Sequence, residues 1–202
     1  MPAIASRHVA IAALLATGCA PLPMHVFVPV VDQQDIVYST CAFNRHVPVG
    51  GTVAIGKAMG MVLVSSNEGR TYVEARLDVP LGTTLQFAGD AVTVAPADSS
   101  AAYQGRFPSI SRADRPIVNS YSASPVMREL QLPMTAPMEG ARVEAGSVAF
   151  NRHFWLAAYV ETGGAKEFVV TLPVLVENGA IRHRVAMTFR GETVLGVALF
   201  NC

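Results

Sequence analysis

The chain has 202 residues, of which 51% are hydrophobic and 15% charged, against about 25% charged in an ordinary soluble domain. Its 15 basic and 15 acidic side chains cancel, so no net field draws in nucleic acid or an anionic membrane surface. The length allows one full domain or two small ones, with a sizeable core in either case.

The N-terminus reads "MPAIASRHVAIAALLATGC". Arg7 supplies a positive start, Val9 to Ala16 form a short apolar run, and the small residues Thr17 and Gly18 precede Cys19. That order predicts a secretory signal over residues 1–18. The run is much shorter than the ~20 apolar residues that a membrane-spanning helix needs. The stretch resembles the leaders of bacterial lipoprotein precursors, in which small residues stand directly before a cysteine. "LATGC" carries the likeness, with Ala16 where that family prefers Leu. The resemblance covers the leader alone. It implies cleavage after Gly18, acylation of Cys19 and a membrane anchor. By the family's sorting habit, Ala20 at the second mature position implies the outer membrane. The alternative is an ordinary secreted protein cut after Gly18, with Cys19 a plain thiol.

Cys19, Cys41 and Cys202 are the three cysteines. An exported chain with an odd count keeps one reactive thiol. Lipidating Cys19 would leave an even pair, and disulfides persist in the periplasm. A Cys41–Cys202 bridge is therefore expected. It would close most of the mature chain into one loop, a constraint of ~4–5 kcal/mol on the chain-entropy model. Two buried free cysteines are the other reading.

Residues 19–34, "CAPLPMHVFVPVVDQQ", suit a short tether that includes a first strand near Val26 to Val31. Residues 35–95 read as a first β unit. In "TYVEARLDV", Val73, Ala75, Leu77 and Val79 alternate with Tyr72, Glu74, Arg76 and Asp78, the period of a half-buried strand. "NEGR" before it and "PLGTT" after it are turn signals. "TLQFA" and "AVTVA" predict two further short strands. Residues 96–145 are rich in Ser, Ala and Pro, and predict a mobile connection or a functional loop packed over the sheets. One or two helical turns are expected in "SPVMREL", with Ser124 as N-cap and Pro125 after it.

Residues 146–202 read as a second β unit. "SVAFN", "HFWLAAYV" and "KEFVVTL" are strand runs, with "ETGGA" a turn between the last two. "ENGA" is a hairpin signal, since Asn-Gly accepts the positive φ of a type I′ turn. "AIRHRVAMTF" predicts one strand with Ile181, His183, Val185, Met187 and Phe189 on one side. "RGET" is expected to turn the chain into a final strand, "VLGVALF". No long stretch shows a helical period. The expected fold class is all-β, an antiparallel β-sandwich of Ig-like kind, with two related β units a possible reading.

"AFNRH" occurs twice, around Phe43 and Phe150. Strand alternation would set Arg45 with Phe43 and Arg152 with Phe150, opposite Asn44, His46, Asn151 and His153. The pair can mark architecture, with Phe buried and Asn and Arg satisfying strand ends, or an anion or partner contact through Arg45 and Arg152. If the copies met, His46 and His153 could share a metal, but two histidines fall short of the three or four ligands zinc takes. Neither a cofactor nor a metal is expected from the motifs. There is no P-loop, GxGxxG, CxxC, GxSxG or SxxK. Trp155 and Tyr159 share one face of "HFWLAAYV". Exposed, they form a platform for a sugar ring or a partner protein; on a strand buried on both sides, they are core.

These readings converge on a lipid-anchored cell-envelope protein with a non-enzymatic binding or accessory role, meeting an envelope protein or glycan and no nucleic acid. The alternative is a periplasmic enzyme acting on envelope polysaccharide. It would be favoured by an exposed Trp155–Tyr159 platform beside two carboxylates in a cleft.

Overall fold

The computed structural model describes residues 22–40, 44–67, 70–98, 101–113, 130–140, 152–162 and 164–196. These hold sixteen strands and one 3-10 turn, Gln33–Asp35. In chain order the strands are β1 (Leu22–Pro29), β2 (Ile36–Tyr38), β3 (Pro48–Ile55), β4 (Ala58–Asn67), β5 (Arg70–Val79) and β6 (Thr84–Phe87). There follow β7 (Ala91–Pro96), β8 (Tyr103–Arg106), β9 (Ile110–Ala113), β10 (Leu130–Leu132) and β11 (Met138–Glu139). The last five are β12 (Arg152–Glu161), β13 (Glu167–Thr171), β14 (Leu175–Glu177), β15 (Ile181–His183) and β16 (Ala186–Gly196).

The strands form three sheets. The largest runs β10-β9-β12-β5-β4-β3-β2, the second β1-β16-β13-β7-β8, and the smallest β11-β6-β14-β15. Every described pairing is antiparallel. The fold is thus all-β and sandwich-like, as the strand grammar predicts. The five-stranded sheet lies on the inner face of the seven-stranded one. Gly51 of β3 has no room for a side chain against Met187 of β16, and Gly105 of β8 has none against Val160 of β12.

The alternation read from "TYVEARLDV" is the one observed: Val73, Ala75, Leu77 and Val79 are buried. On β12, Phe154, Leu156, Ala158 and Val160 are buried in the same way. From the other sheets, Phe168, Val170, Met187, Phe189, Val92, Val94, Leu85, Phe87 and Leu175 complete one continuous core. At about 25 cal/mol per Å² of apolar surface removed from water, this burial is the main force holding the layers together. The turns follow the expected chemistry too. Gly82 has φ +76°, and Asn178 and Gly179 have φ 50° and 75° between β14 and β15, the all-positive pair of a type I′ turn.

Four expectations are corrected. The two halves do not form separate β units, because each sheet draws strands from both halves. Segment 96–145 is no bare connection. It contributes β8 to the five-stranded sheet, β9 and β10 to the seven-stranded sheet and β11 to the smallest. Ile181 to Phe189 is not one strand, since β15 and β16 belong to different sheets, and Ile181 is 56% exposed. Finally, "RGET" does not turn. Residues 190–193 continue β16, held on one side by β1 and at Arg190 on the other by β13. Cys19, Cys41, Cys202, Phe43, Phe150, Asn151 and the helical turn expected from Ser124 lie outside the described residues. Among the described residues, no helix is long and apolar enough to cross a membrane.

Candidate functional site

The seven-stranded sheet buries one face and leaves the other as a decorated surface. Register fixes what that surface displays, since residues directly opposite in an antiparallel ladder share a face. Met59, Asp78 and His153 form one cross-strand row over β4, β5 and β12; Met61, Arg76 and Trp155 form the next. Leu63, Glu74 and Ala157 follow, and then Ser65, Tyr72 and Tyr159.

Two adjoining depressions cross these rows. The first, of about 550 Å³, is lined by Met59, Met61, Glu74, Arg76, Asp78, His153 and Trp155, with backbone from Gly60 and Phe154 alongside. The second, of about 660 Å³, shares Met61, Glu74 and Arg76, and extends past Leu63, Ser65 and Tyr72 toward β1 and β2. Together they make one mixed groove, lined by thioether, aromatic and charged side chains.

The charges in the groove are internally paired. Arg76 Nε donates to Glu74 Oε1 at 2.6 Å, and His153 Nδ1 meets Asp78 Oδ1 across the β5–β12 ladder. At the far end, the Tyr72 and Tyr159 rings lie 5.2 Å apart. The Arg70 guanidinium sits 4.9 Å over the Tyr159 ring, within cation–π range. Burial and the neighbouring Glu74 carboxylate push the Tyr72 phenol up from its usual value. It therefore stays a neutral hydroxyl that can donate or accept.

Trp155 and Tyr159 share this face, as alternation predicts; Tyr159 is 48% exposed and Trp155 half-buried in the groove. They are not core. Four residues at ~3.3 Å each set them about 13 Å apart along β12. The AFNRH arginines are not brought together. Arg45 is exposed in a turn closed by Val47 N–H donating to Asn44 O at 2.8 Å, so strand alternation does not hold for the first copy. Asn44 is buried there, and His46 Nε2 lies 2.8 Å from Leu195 O at the end of β16. Arg152 instead opens β12 opposite Val79. Six strand residues at ~3.4 Å, about 20 Å, separate the two ends of the sheet, so His46 and His153 share no site.

Met59, Met61, Asp78 and His153 were not singled out together by sequence reasoning. Their convergence depends on register between strands that are distant in sequence. One signal was available: "MGM" sets two methionines on one strand face, with Gly60 between them where Ile55 Cδ1 leaves no space for a side chain.

A second polar cluster lies elsewhere. Glu177 is buried on β14. It accepts a hydrogen bond from His183 Nε2 at 2.9 Å and another from the Lys57 backbone N–H at 3.3 Å. The His183 bond holds its carboxyl below the ordinary 4.5; burial opposes this, and the Lys57 amide adds to it. A carboxyl depressed by folding stabilises the native state above its unfolded value and loses that contribution as pH falls through the folded one. Glu177→Gln is therefore expected to flatten the fall of melting temperature on acidification below pH 4.5. Parallel acid limbs for the variant and the unmodified protein would refute this role.

Compared with known proteins, the chain matches no family model, no curated protein and no solved structure.

Proposed function

We propose that this chain is a lipid-anchored protein of the bacterial cell envelope whose β domain binds a ligand across the open face of the seven-stranded sheet. The observation that carries the binding role is the groove itself. It joins aromatic surface at Trp155 and Tyr72, with the Tyr159 ring against Tyr72 at its edge, to hydrogen-bonding groups that already have partners. Such a surface suits contact with an envelope glycan or an envelope protein partner, where aromatic rings supply area and polar groups set orientation. The anchor is Cys19, and the outer membrane its destination, on the strength of the leader. What supports a Cys41–Cys202 bridge is the contact between His46, five residues after Cys41, and Leu195, seven residues before Cys202.

One feature favours the enzymatic alternative. Glu74 and Asp78 stand on the same strand face beside Trp155. They stand four strand residues apart, about 13 Å at ~3.3 Å each, wider than the ~5–9.5 Å between the paired carboxyls of a glycosidase, so binding is the better reading.

The test is co-purification from gently cross-linked native envelopes, with an internal tag between residues 114 and 129. A protein or glycan recovered in constant ratio, and lost at least tenfold in the Trp155→Ala, Tyr159→Ala double variant, is the expected result. In the same preparation Cys19 carries acyl label, and alkylation before reduction marks neither Cys41 nor Cys202. Equal recovery with both rings removed would refute the groove, and an unacylated Cys19 would refute the anchor.

A further inference from the structure

We propose that the Met59–His153 end of the groove is a binding site for a soft monovalent metal ion, Cu(I), with Ag(I) as its redox-inert equivalent. The inference goes beyond the binding role above. It rests on the side chains of the groove and is independent of the anchor.

The ligand set is two thioethers and one imidazole. Met59 and Met61 are two residues apart on β4 and line the same depression. His153 stands in the row of Met59, two strands away, about 10 Å between Cα atoms at ~4.8 Å per strand. One ion can be reached from both sides of such a gap by side chains as long as methionine and histidine. Met59 is 48% exposed, which gives an ion a way in from solvent. Thioether sulfur is a poor ligand for hard cations and selects Cu(I) among the common metals, while imidazole serves it equally well.

The surroundings fit the same ion. Asp78 engages His153 Nδ1, which fixes the ring and leaves Nε2 as the ligand atom. A carboxylate behind a histidine is the usual outer partner of a metal-bound imidazole. Trp155 is two residues from His153 on the same face, so its indole can lie against a bound monocation as a cation–π partner. Arg76 is the adverse charge of the depression, and it is bound to Glu74. Two carboxylates, Asp78 and Glu74, stand against the one guanidinium of Arg76 along the depression, a setting suited to a singly charged cation. No group of three or more His, Cys, Asp and Glu that could hold a metal occurs among the described residues. Two of the three ligands proposed here, the methionines, lie outside that set of residue types.

Trp155 is the only tryptophan of the chain, so its fluorescence reads the site directly. The full chain, with any free thiol alkylated and no thiol reductant added so that cysteine takes no metal, is titrated with Ag(I) and then anaerobically with Cu(I). The expected result is quenching of Trp155 emission that saturates at one equivalent and is not produced by Zn(II) or Mg(II). Met59→Leu with Met61→Leu, a near-isosteric pair of changes that spares the fold, is expected to weaken binding at least a hundredfold. Asp78→Asn, acting only through His153, is expected to weaken it about tenfold. Quenching that does not saturate, or that persists unchanged in the Met59→Leu, Met61→Leu variant with its circular dichroism intact, would overturn the proposal.

Discussion

Replacing Phe168 by alanine is expected to cost about 4 kcal/mol of folding stability, the usual range for emptying a fully enclosed phenylalanine site. Phe168 is 0% exposed and lies on β13, inside the five-stranded sheet between β16 and β7. Its ring stands edge-on to Phe27 of β1 at 4.9 Å and is stacked 6.1 Å from Phe189 of β16. Three strands of one sheet thus meet in one aromatic cluster, and β16, held by ladders on both sides, resists collapse into the void. Phe168→Leu keeps most of the volume and is expected to lose under about 1.5 kcal/mol. Urea unfolding of both variants checks this. A loss below about 1 kcal/mol for alanine would show that the aromatic cluster does not hold β1, β13 and β16 together.

Gly56→Ala is expected to destabilise by about 3 kcal/mol. Gly56 ends the β3–β4 hairpin at φ +59°, a conformation that costs an L side chain about 1–2 kcal/mol. A Cβ there would also collide with the Glu177 carboxylate. The turn is pressed against that carboxylate because the neighbouring Lys57 N–H is bonded to it. Displacing Glu177 would leave a buried acceptor without its donors, a further cost of about 1–3 kcal/mol. Gly82 is the internal control. It too has positive φ, at +76°, but nothing lies within 4 Å of where its Cβ would be. Gly82→Ala should therefore show the backbone cost alone. Equal losses at the two positions, measured by thermal unfolding, would rule out the carboxylate's part.

Much of the fold was legible wherever a strand is long and half-buried. β5 and β12 carry ten residues each, enough for a period of two to stand out, and Asn178-Gly179 and Gly82 announced their turns. What stayed hidden were strands of two to four residues such as β8, β9, β10 and β11. They are too short to show alternation, and they become strands only because a longer neighbour offers its free edge. The false continuity from Ile181 to Phe189 has a related cause. An apolar alternation can cross a break between sheets without interruption, and only the pairing partners reveal that β15 and β16 part company. Of the candidate site, the shared face of Trp155 and Tyr159 was readable from one strand. The row of Met59, Asp78 and His153 was not, because it depends on how three strands slide against one another.

The pairing of β1 with β16 has a consequence for how the chain is made. Among the described strands, the first to leave the ribosome or an export channel hydrogen-bonds to the last, with His25 meeting Thr193 across 168 residues. Until β16 emerges, β1 has no ladder partner, and its backbone and the Phe27 ring stay without their native cover. Long-range closure of this kind is slow, because the entropy of the loop is lost before the contact is made. Throughout that interval an unpaired strand can join the wrong sheet. Closure of the five-stranded sheet therefore waits on the last of its strands.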